Sequence, residues 1–456
     1  MGGRDASSNR PCLRLFVEFP PVWLTHLGKS CWHRSKEMLN MHYNHNVMNT
    51  RLSPLDLFYS GIHPWFGVFL VAVVWIATGS PACAAPFIPG SDAQVLETLP
   101  TKAGDPVARE LRELRAALAK NPGDLGRAIV LAQRYIDLAS AEGDPRYVGY
   151  AEAVIRPWLK ADIPVEIQFT RALLRQYRHD FINAISDLDS VLARSPGHAD
   201  ALAWKWALYV VMADYDKARD GCEKRRGIAS GASFAACVAS IDSLTGKAGE
   251  AYASLDAALK REPDHSADFR QWALTRLAEF ALRAGDKVKA ERHFKEAIAS
   301  GVTDGYVLGA YSDLLLDENR PREVIALLKD WTRSDILLLR LAIAEKMLST
   351  PTATAWAQVL SDRFADSALR GDKLHLAEEA RFELVLKNNP TRAVELAVEN
   401  WMALQREPRD ARILMEAALA AKTPEAARPA MDWVSRNHYQ ESPYADLNKA
   451  LGKLVK

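Results

Sequence analysis

Cysteine and histidine are the side chains in this 456-residue chain that could bind a metal ion or form a redox pair. Cys12, Cys31, His33, His42 and His45 all fall within the first 47 residues. Structural zinc sites bring their ligands in close pairs, such as two cysteines separated by two residues. No C-x-x-C pair and no H-x-x-x-H pair accompanies these residues. The sequence therefore predicts no metal site and no cofactor.

Carboxylates could act as an acid/base pair, and Asp187 and Asp189 are the closest candidates. They flank Leu188 in a helical segment, so their side chains point to different faces of the helix. The chain has no H-E-x-x-H, G-x-S-x-G, phosphate-binding loop or G-x-G-x-x-G motif. We therefore predict no catalytic residue and no enzyme activity.

The charge balance bears on the kind of partner. There are 58 Lys plus Arg against 57 Asp plus Glu, which gives a net charge of +1. A protein held to nucleic acid by its charge needs many unpaired cations to displace counterions. The composition therefore argues against a nucleic-acid partner and leaves protein or peptide partners open.

The first 84 residues are unlike the rest of the chain. Residues 1–47 have no clean period and are predicted to be a non-structural extension. Residues 48–84 have the layout of a secretory signal peptide, with Arg51 before the apolar run Trp65–Ala77 and small residues at Ala82 and Ala84. We expect cleavage after Ala84, and residues 85–104 to be a linker.

The mature protein is then expected to be periplasmic or secreted. The apolar run is shorter than the ~20 residues that a spanning helix needs. The alternative is an uncleaved anchor in the inner membrane with the rest of the chain facing the periplasm. In that case residues 64–79 would be the part of the chain that contacts the membrane.

From about residue 105 the pattern is helical, and it repeats at about 34 residues. In the unit Val165–His198, small residues, larger apolar residues and a proline fall at defined places of the unit: Ala172 (place 8), Ala184 (20), Leu188 (24), Val191 (27) and Pro196 (32). This unit resembles the tetratricopeptide repeat (TPR), in which places 8, 20 and 27 are small. Small residues let two antiparallel helices approach closely.

The small place-20 residue recurs at 184, 218, 251, 290 and 324. The resemblance spans roughly residues 105–436; it is strong over 165–331 and weak at both ends, and the pair in 335–365 lacks a good signature. It implies an all-α fold: a right-handed superhelical solenoid of about eight antiparallel helical hairpins over residues 105–456, with a capping helix at each end.

Similar proteins are mostly binding scaffolds whose first helices line a concave groove. The places that line it, together with one bordering place, implicate six side chains in binding: Phe169, Tyr177, Trp204, Trp272, Arg276 and Tyr306. Aromatic side chains supply large contact areas at interfaces. The alternative is that these rings pack against the neighbouring hairpin, since aromatic residues fill cores equally well.

The repeat frame also implies a disulfide. Cys222 falls at place 24 of one second helix and Cys237 near place 6 of the next first helix. Stacked hairpins bring such helices within the Cα separation that a bridge requires. These two cysteines are also the ones that follow Ala84, and an even number in an oxidising compartment favours pairing. The alternative is that Cys222 is a small core residue.

The sequence as a whole favours an exported, bacterial-type TPR protein. We expect a scaffold or assembly factor that binds a protein or peptide in the cell envelope. One alternative is a membrane-anchored repeat subunit of an envelope or secretion complex. Another is an enzyme whose site lies in the divergent region 335–410.

Overall fold

The computed structural model describes Ser91 and residues 105–142, 146–301 and 304–454. The predicted extension, signal segment and cleavage site lie outside these residues. Ser91 and residues 105–109 belong to one unit, and the described residues from Glu110 onward belong to another. The described residues form twenty α-helices, one short 3-10 helix and no β-strand. The predicted all-α fold is therefore confirmed.

The helices follow one another in antiparallel pairs, with α1 before the first pair and α20 after the last. Their bounds are α1 Pro106–Lys120, α2 Leu125–Glu142, α3 Arg146–Ile155, α4 Val165–Tyr177, α5 Phe181–Arg194, α6 Ala199–Val211, α7 Tyr215–Lys224, α8 Gly231–Leu244, α9 Ala248–Arg261, α10 Ala267–Arg283, α11 Lys287–Ala299, α12 Gly305–Asp317, α13 Pro321–Leu328, α14 Asp335–Met347, α15 Thr352–Leu369, α16 Leu376–Val385, α17 Pro390–Met402, α18 Pro408–Ala421, α19 Pro424–Arg436 and α20 Ser442–Leu454. The pairs run from α2/α3 to α18/α19, which makes nine hairpins where about eight were expected.

The first helix of every pair from α4 to α18 ends in a turn with one residue in the left-handed backbone region. These residues are His179, Ala213, Gly246, Gly285, Asn319, Ser349, Asn388 and Lys422. In most of these turns the next N–H reaches back five residues, as Asp286 does to the Ala281 carbonyl at 2.8 Å. This is the hydrogen bond of a Schellman helix end.

The left-handed positions are 34, 33, 39, 34, 30, 39 and 34 residues apart. The repeat therefore continues through residues 335–436, where the sequence resemblance is weak.

Lys422 offers a direct test of this turn, because its side chain is exposed and its φ is 58°. A Cβ in the left-handed region costs about 1 kcal/mol. We expect Lys422→Gly to raise the free energy of unfolding in urea by roughly 0.5–1 kcal/mol. Lys422→Ala keeps the Cβ and should give no such gain. An equal gain from both variants would mean that the lysine side chain, and not the backbone, limits stability.

Small side chains occupy the contact inside the hairpins, as the repeat frame predicts. Ala172 on α4 and Ala184 on α5 are both buried. The α6/α7 pair differs, because the buried Trp206 takes the position of the small residue on its first helix. Gly221 on α7 faces it, and a Cβ at Gly221 would be in ordinary contact with the Trp206 Cβ, at 3.5 Å.

The C-terminal pairs keep part of the same pattern. Ala393 on α17 and Ala427 on α19 are fully buried, each five residues after a left-handed turn residue. The α14/α15 pair departs from it: Ala342 on the first helix is buried, but the second helix has an exposed threonine, Thr354, at the matching position. The weak signature of this pair therefore reflects a real change in the contact between its helices.

Apolar packing also joins parts of the chain that are far apart in sequence. One core cluster contains buried residues of α6 to α10, from Trp206 to Phe280, together with buried residues of α16 to α20, from Leu376 to Leu451. A second cluster holds most of the buried apolar residues between them. The C-terminal hairpins therefore pack against α6 to α10 as well as against their neighbours in sequence.

Candidate functional site

The six predicted binding residues lie in three places. Phe169 on α4 and Trp204 on α6 are both half-buried and pack against one apolar cluster formed by α4 to α6. The Phe169 ring centroid lies 4.9 Å from that of His198, which N-caps α6 by accepting the Ala201 N–H. Part of the surface of Phe169 and of Trp204 remains exposed.

Three other predicted residues come together with Glu279 in a group that we call the Arg276 cluster: Trp272, Arg276, Glu279 and Tyr306. The Arg276 guanidinium carbon lies 5.8 Å from the Trp272 ring centroid and 5.0 Å from that of Tyr306. Such separations allow cation–π attraction. The cluster joins α10 to α12 through side chains that are all at least half-buried.

Tyr177 belongs to neither group. It lies at the end of α4, and its hydroxyl donates to the Ala139 carbonyl of α2 at 3.4 Å. Its contact is therefore with the preceding hairpin.

Glu279 is the electrostatic centre of the Arg276 cluster. It accepts a hydrogen bond from the Tyr306 hydroxyl at 2.6 Å and pairs with Arg276 at 3.0 Å and Arg283 at 3.4 Å. Burial, reinforced by the Glu279 charge, raises the pKa of Tyr306 above its ordinary value. The phenol therefore stays protonated at neutral pH and remains a hydrogen-bond donor.

The C-terminal part of the chain lies over this cluster. The Arg409 guanidinium carbon of α18 is 5.9 Å from the Tyr306 ring centroid. Arg409 pairs with Glu407 at 3.2 Å and lies 3.9 Å from Glu378. Tyr306 is thus in contact with the chain's own α18 on one side and with Arg276 on the other.

Asp410 fixes the start of α18 beneath this contact. Its carboxylate accepts the Glu407 N–H at 2.9 Å and the Asn400 side-chain amide at 3.1 Å. Burial raises its pKa from 3.8 to about 7. Between about pH 4 and pH 7 the folded state therefore holds a proton that the unfolded chain has released.

This shift predicts a pH dependence. Because the folded pKa is raised, the contribution of Asp410 to stability should fall as pH rises through that range and level off above it. We expect the unfolding free energy of the wild type, relative to Asp410→Asn, to be lower at pH 8 than at pH 5 by on the order of 2 kcal/mol. Urea unfolding of both proteins at the two pH values measures this, and a constant difference would contradict it.

Two polar residues of this region escaped the sequence analysis. Arg283 on α10 donates to Ser243 on α8 and to the hydroxyl of Tyr439, which follows α19. Arg283 lies five residues after Ala278, which holds place 8 of its unit, and this spacing is the signal that could have identified it. Nothing in the sequence singles out Tyr439, because it lies beyond the last hairpin.

The structure joins Cys222 at the end of α7 to Cys237 of α8, with their Cα atoms 5.8 Å apart. Both side chains are fully buried. The bridge would hold the turn between α7 and α8. The oxidation state of these cysteines in the protein stays a prediction.

Other kinds of site have little support in the described part of the chain. No three His, Cys, Asp or Glu residues there are grouped so that they could hold a metal ion. Two shallow pockets there, of about 370 and 290 Å³, are lined by none of the six predicted residues. None of its helices is both long and apolar enough to cross a membrane.

Comparison with known proteins adds little to this picture. No protein-family model and no curated protein sequence matches the chain. Structural similarity extends to the APC/C hetero-tetramer Cut9-Hcn1, at 12% identity and a TM-score of 0.45, over 76% of this chain and 66% of that one, just under two thirds of its length. It also extends to a tetratricopeptide repeat protein from Parabacteroides merdae, at 14% identity and a TM-score of 0.25, over 63% of this chain and 98% of that one.

At such TM-scores the similarity carries no argument, and the fold rests on the helices themselves. The recurring turn, the roughly 34-residue period and the buried alanines define a TPR-like array of helical hairpins.

Proposed function

We propose that this protein is a binding scaffold for a protein or peptide and that it acts in the cell envelope without a covalent step. The observation that carries the proposal is the partly exposed aromatic surface of Phe169 and Trp204, held on successive first helices. Rings fixed on rigid helices lose little conformational entropy when a partner covers them. A segment with an apolar or aromatic side chain is the partner that fits this surface.

Trp272 forms a second anchor on the same series of helices. Its ring lies 5.9 Å from the Phe269 ring and 5.8 Å from the Arg276 guanidinium carbon. Arg276 is already paired with Glu279, so the partly exposed Trp272 ring suits a partner that presents an apolar or aromatic side chain. The two anchors, on α6 and α10, would contact different parts of one extended partner.

The experiment is affinity capture from envelope extract with the full chain and with Trp204→Ala plus Trp272→Ala. Loss of both rings should reduce the captured partner by at least about tenfold, as expected for two interface hot spots. The matched control is Val288→Ala plus Leu369→Ala, which removes two apolar side chains, 82% and 83% exposed, from second helices. Unchanged thermal unfolding would show that both variants fold. Capture of the partner at the wild-type level by the double tryptophan variant would refute the proposal that these rings bind it.

The cellular location rests on the signal segment 48–84. We expect the protein isolated from the envelope to begin at Ala85, and N-terminal sequencing measures this directly. A protein that retains residues 64–79 would instead support the membrane-anchored subunit.

A further inference from the structure

A short turn between α19 and α20 lies against the middle of the array. We call residues 437–441 the latch. The Gln440 side-chain oxygen accepts the Ala248 N–H at the start of α9, at 3.0 Å. The Tyr439 hydroxyl accepts a hydrogen bond from the Arg283 Nε of α10, at 3.2 Å. The latch thus binds two hairpins that precede it by more than 150 residues.

The centre of this contact is polar and buried. Arg283 donates to the Ser243 hydroxyl of α8 at 2.7 Å, and Tyr439 donates to Glu441 at 2.7 Å. The exposed fractions of Arg283 and Tyr439 are only 8% and 6%. Removing a hydrogen-bond partner from a buried arginine strongly destabilises the folded protein. Tyr439 therefore completes a site that α8 and α10 form by themselves only in part.

The turn between α8 and α9 is shaped to accept the latch. A Cβ at Gly246 would lie 3.0 Å from the His438 Cβ and 3.2 Å from the His438 carbonyl oxygen. Gly285 has the same place in the next hairpin and nearly the same φ, 82° against 84°, but a Cβ there would meet nothing within 4 Å. Position 246 therefore favours glycine for two reasons: its φ is positive, and His438 lies too close to leave room for a Cβ.

Two further long-range contacts, both from helices that precede the latch, join the C-terminal hairpins to earlier parts of the array. Trp433 on α19 donates to the Tyr215 hydroxyl of α7 at 3.1 Å. Arg412 on α18 makes a two-bond ion pair with Asp317 of α12, at 2.6 and 2.7 Å. In a simple repeat array each hairpin contacts only its neighbours. These bonds join residues 95 and 218 positions apart.

We propose that the latch is an intramolecular ligand that covers the face formed by Ser243, Ala248 and Arg283, and that it opens as a unit to expose this face. The latch and the α8/α9 turn then share one opening equilibrium. A partner segment that binds this face must displace residues 437–441. It would fit the face if it offered a hydroxyl or carboxylate to Arg283 and a carbonyl oxygen to the Ala248 N–H.

Amide hydrogen exchange of the full chain tests this, because it reports local opening. Gly246→Ala should speed exchange by at least about tenfold in residues 437–454 and in the first turn of α9 together. Gly285→Ala introduces the same backbone strain without the clash, so it should speed exchange only around its own turn. The proposal is overturned if Gly246→Ala leaves residues 437–454 protected, or if Gly285→Ala exposes them equally.

A milder pair of variants keeps the test decisive if Gly246→Ala does not fold. Gln440 has an exposed side chain, and Gln440→Ala removes only the acceptor of the Ala248 N–H. The expected result is exchange about fivefold faster at the start of α9 and in the latch, the effect of losing one hydrogen bond. Gln440→Glu keeps an acceptor oxygen and should exchange at the wild-type rate. Wild-type exchange in Gln440→Ala would rule out the latch.

Discussion

Replacing Asp187 with alanine should lower the free energy of unfolding by about 3 kcal/mol. The Asp187 side chain is 3% exposed and lies between the helices of one hairpin. It accepts hydrogen bonds from Arg171 at 2.9 Å, Arg175 at 2.5 Å and Gln168 at 3.3 Å. Its loss leaves two guanidinium groups without their anion. Both are partly exposed, so we place the effect at the low end of the range for buried pairs.

Asp189 provides the matched control, because it lies two residues further along the same helix. Its side chain is 53% exposed and pairs with Lys205. Exposed ion pairs contribute little, so Asp189→Ala should cost less than about 1 kcal/mol. Urea unfolding of the three proteins measures the difference. Equal losses from both substitutions would show that Asp187 is not the buried anion of the hairpin.

Reduction of the Cys222–Cys237 pair should lower the free energy of unfolding by about 3 kcal/mol. The bridge closes a loop of 15 residues, and its main effect is to restrict the unfolded chain. The double variant Cys222→Ala plus Cys237→Ala has no bridge to reduce, so its free energy of unfolding should not change with reductant. Unfolding curves with and without reductant give the comparison.

Peptide mapping tests the bridge independently. Trypsin cuts after Lys224, Arg225 and Arg226, between the two cysteines. Unreduced digests should therefore contain two peptides held together by the disulfide, and reduction should separate them. If both cysteines are recovered as free thiols from protein isolated without reductant, the prediction is wrong and the argument for an oxidising compartment loses this support.

The sequence by itself predicted the helical pairs and the contact inside them. Ala172 and Ala184 are small because two helices meet there, and this rule acts within one hairpin. The same local reasoning was less informative beyond residue 331. The left-handed turn positions there carry Ser349, Asn388 and Lys422, and no single residue type marks them. The turn is kept because the packing of its helices outweighs the backbone strain.

The repeat pattern did not indicate which contacts some residues make. The sequence analysis predicted that Asp187 and Asp189 make a poor acid/base pair, but it did not show that Asp187 is a buried anion between two helices. Trp272, Arg276 and Tyr306 come together as one group, whereas Tyr177 binds the preceding hairpin. A place in the repeat indicates which face a side chain is on. It does not indicate which neighbour that side chain meets.

The tertiary structure alone decided how the C-terminal hairpins pack. Arg283 meets Tyr439, Asp317 meets Arg412 and Tyr215 meets Trp433 across long stretches of chain. Periodicity describes contacts between neighbouring hairpins, because these depend on the spacing within one repeat. Contacts between distant hairpins depend on the sum of many small rotations from one pair to the next, and no spacing in a single sequence records that sum.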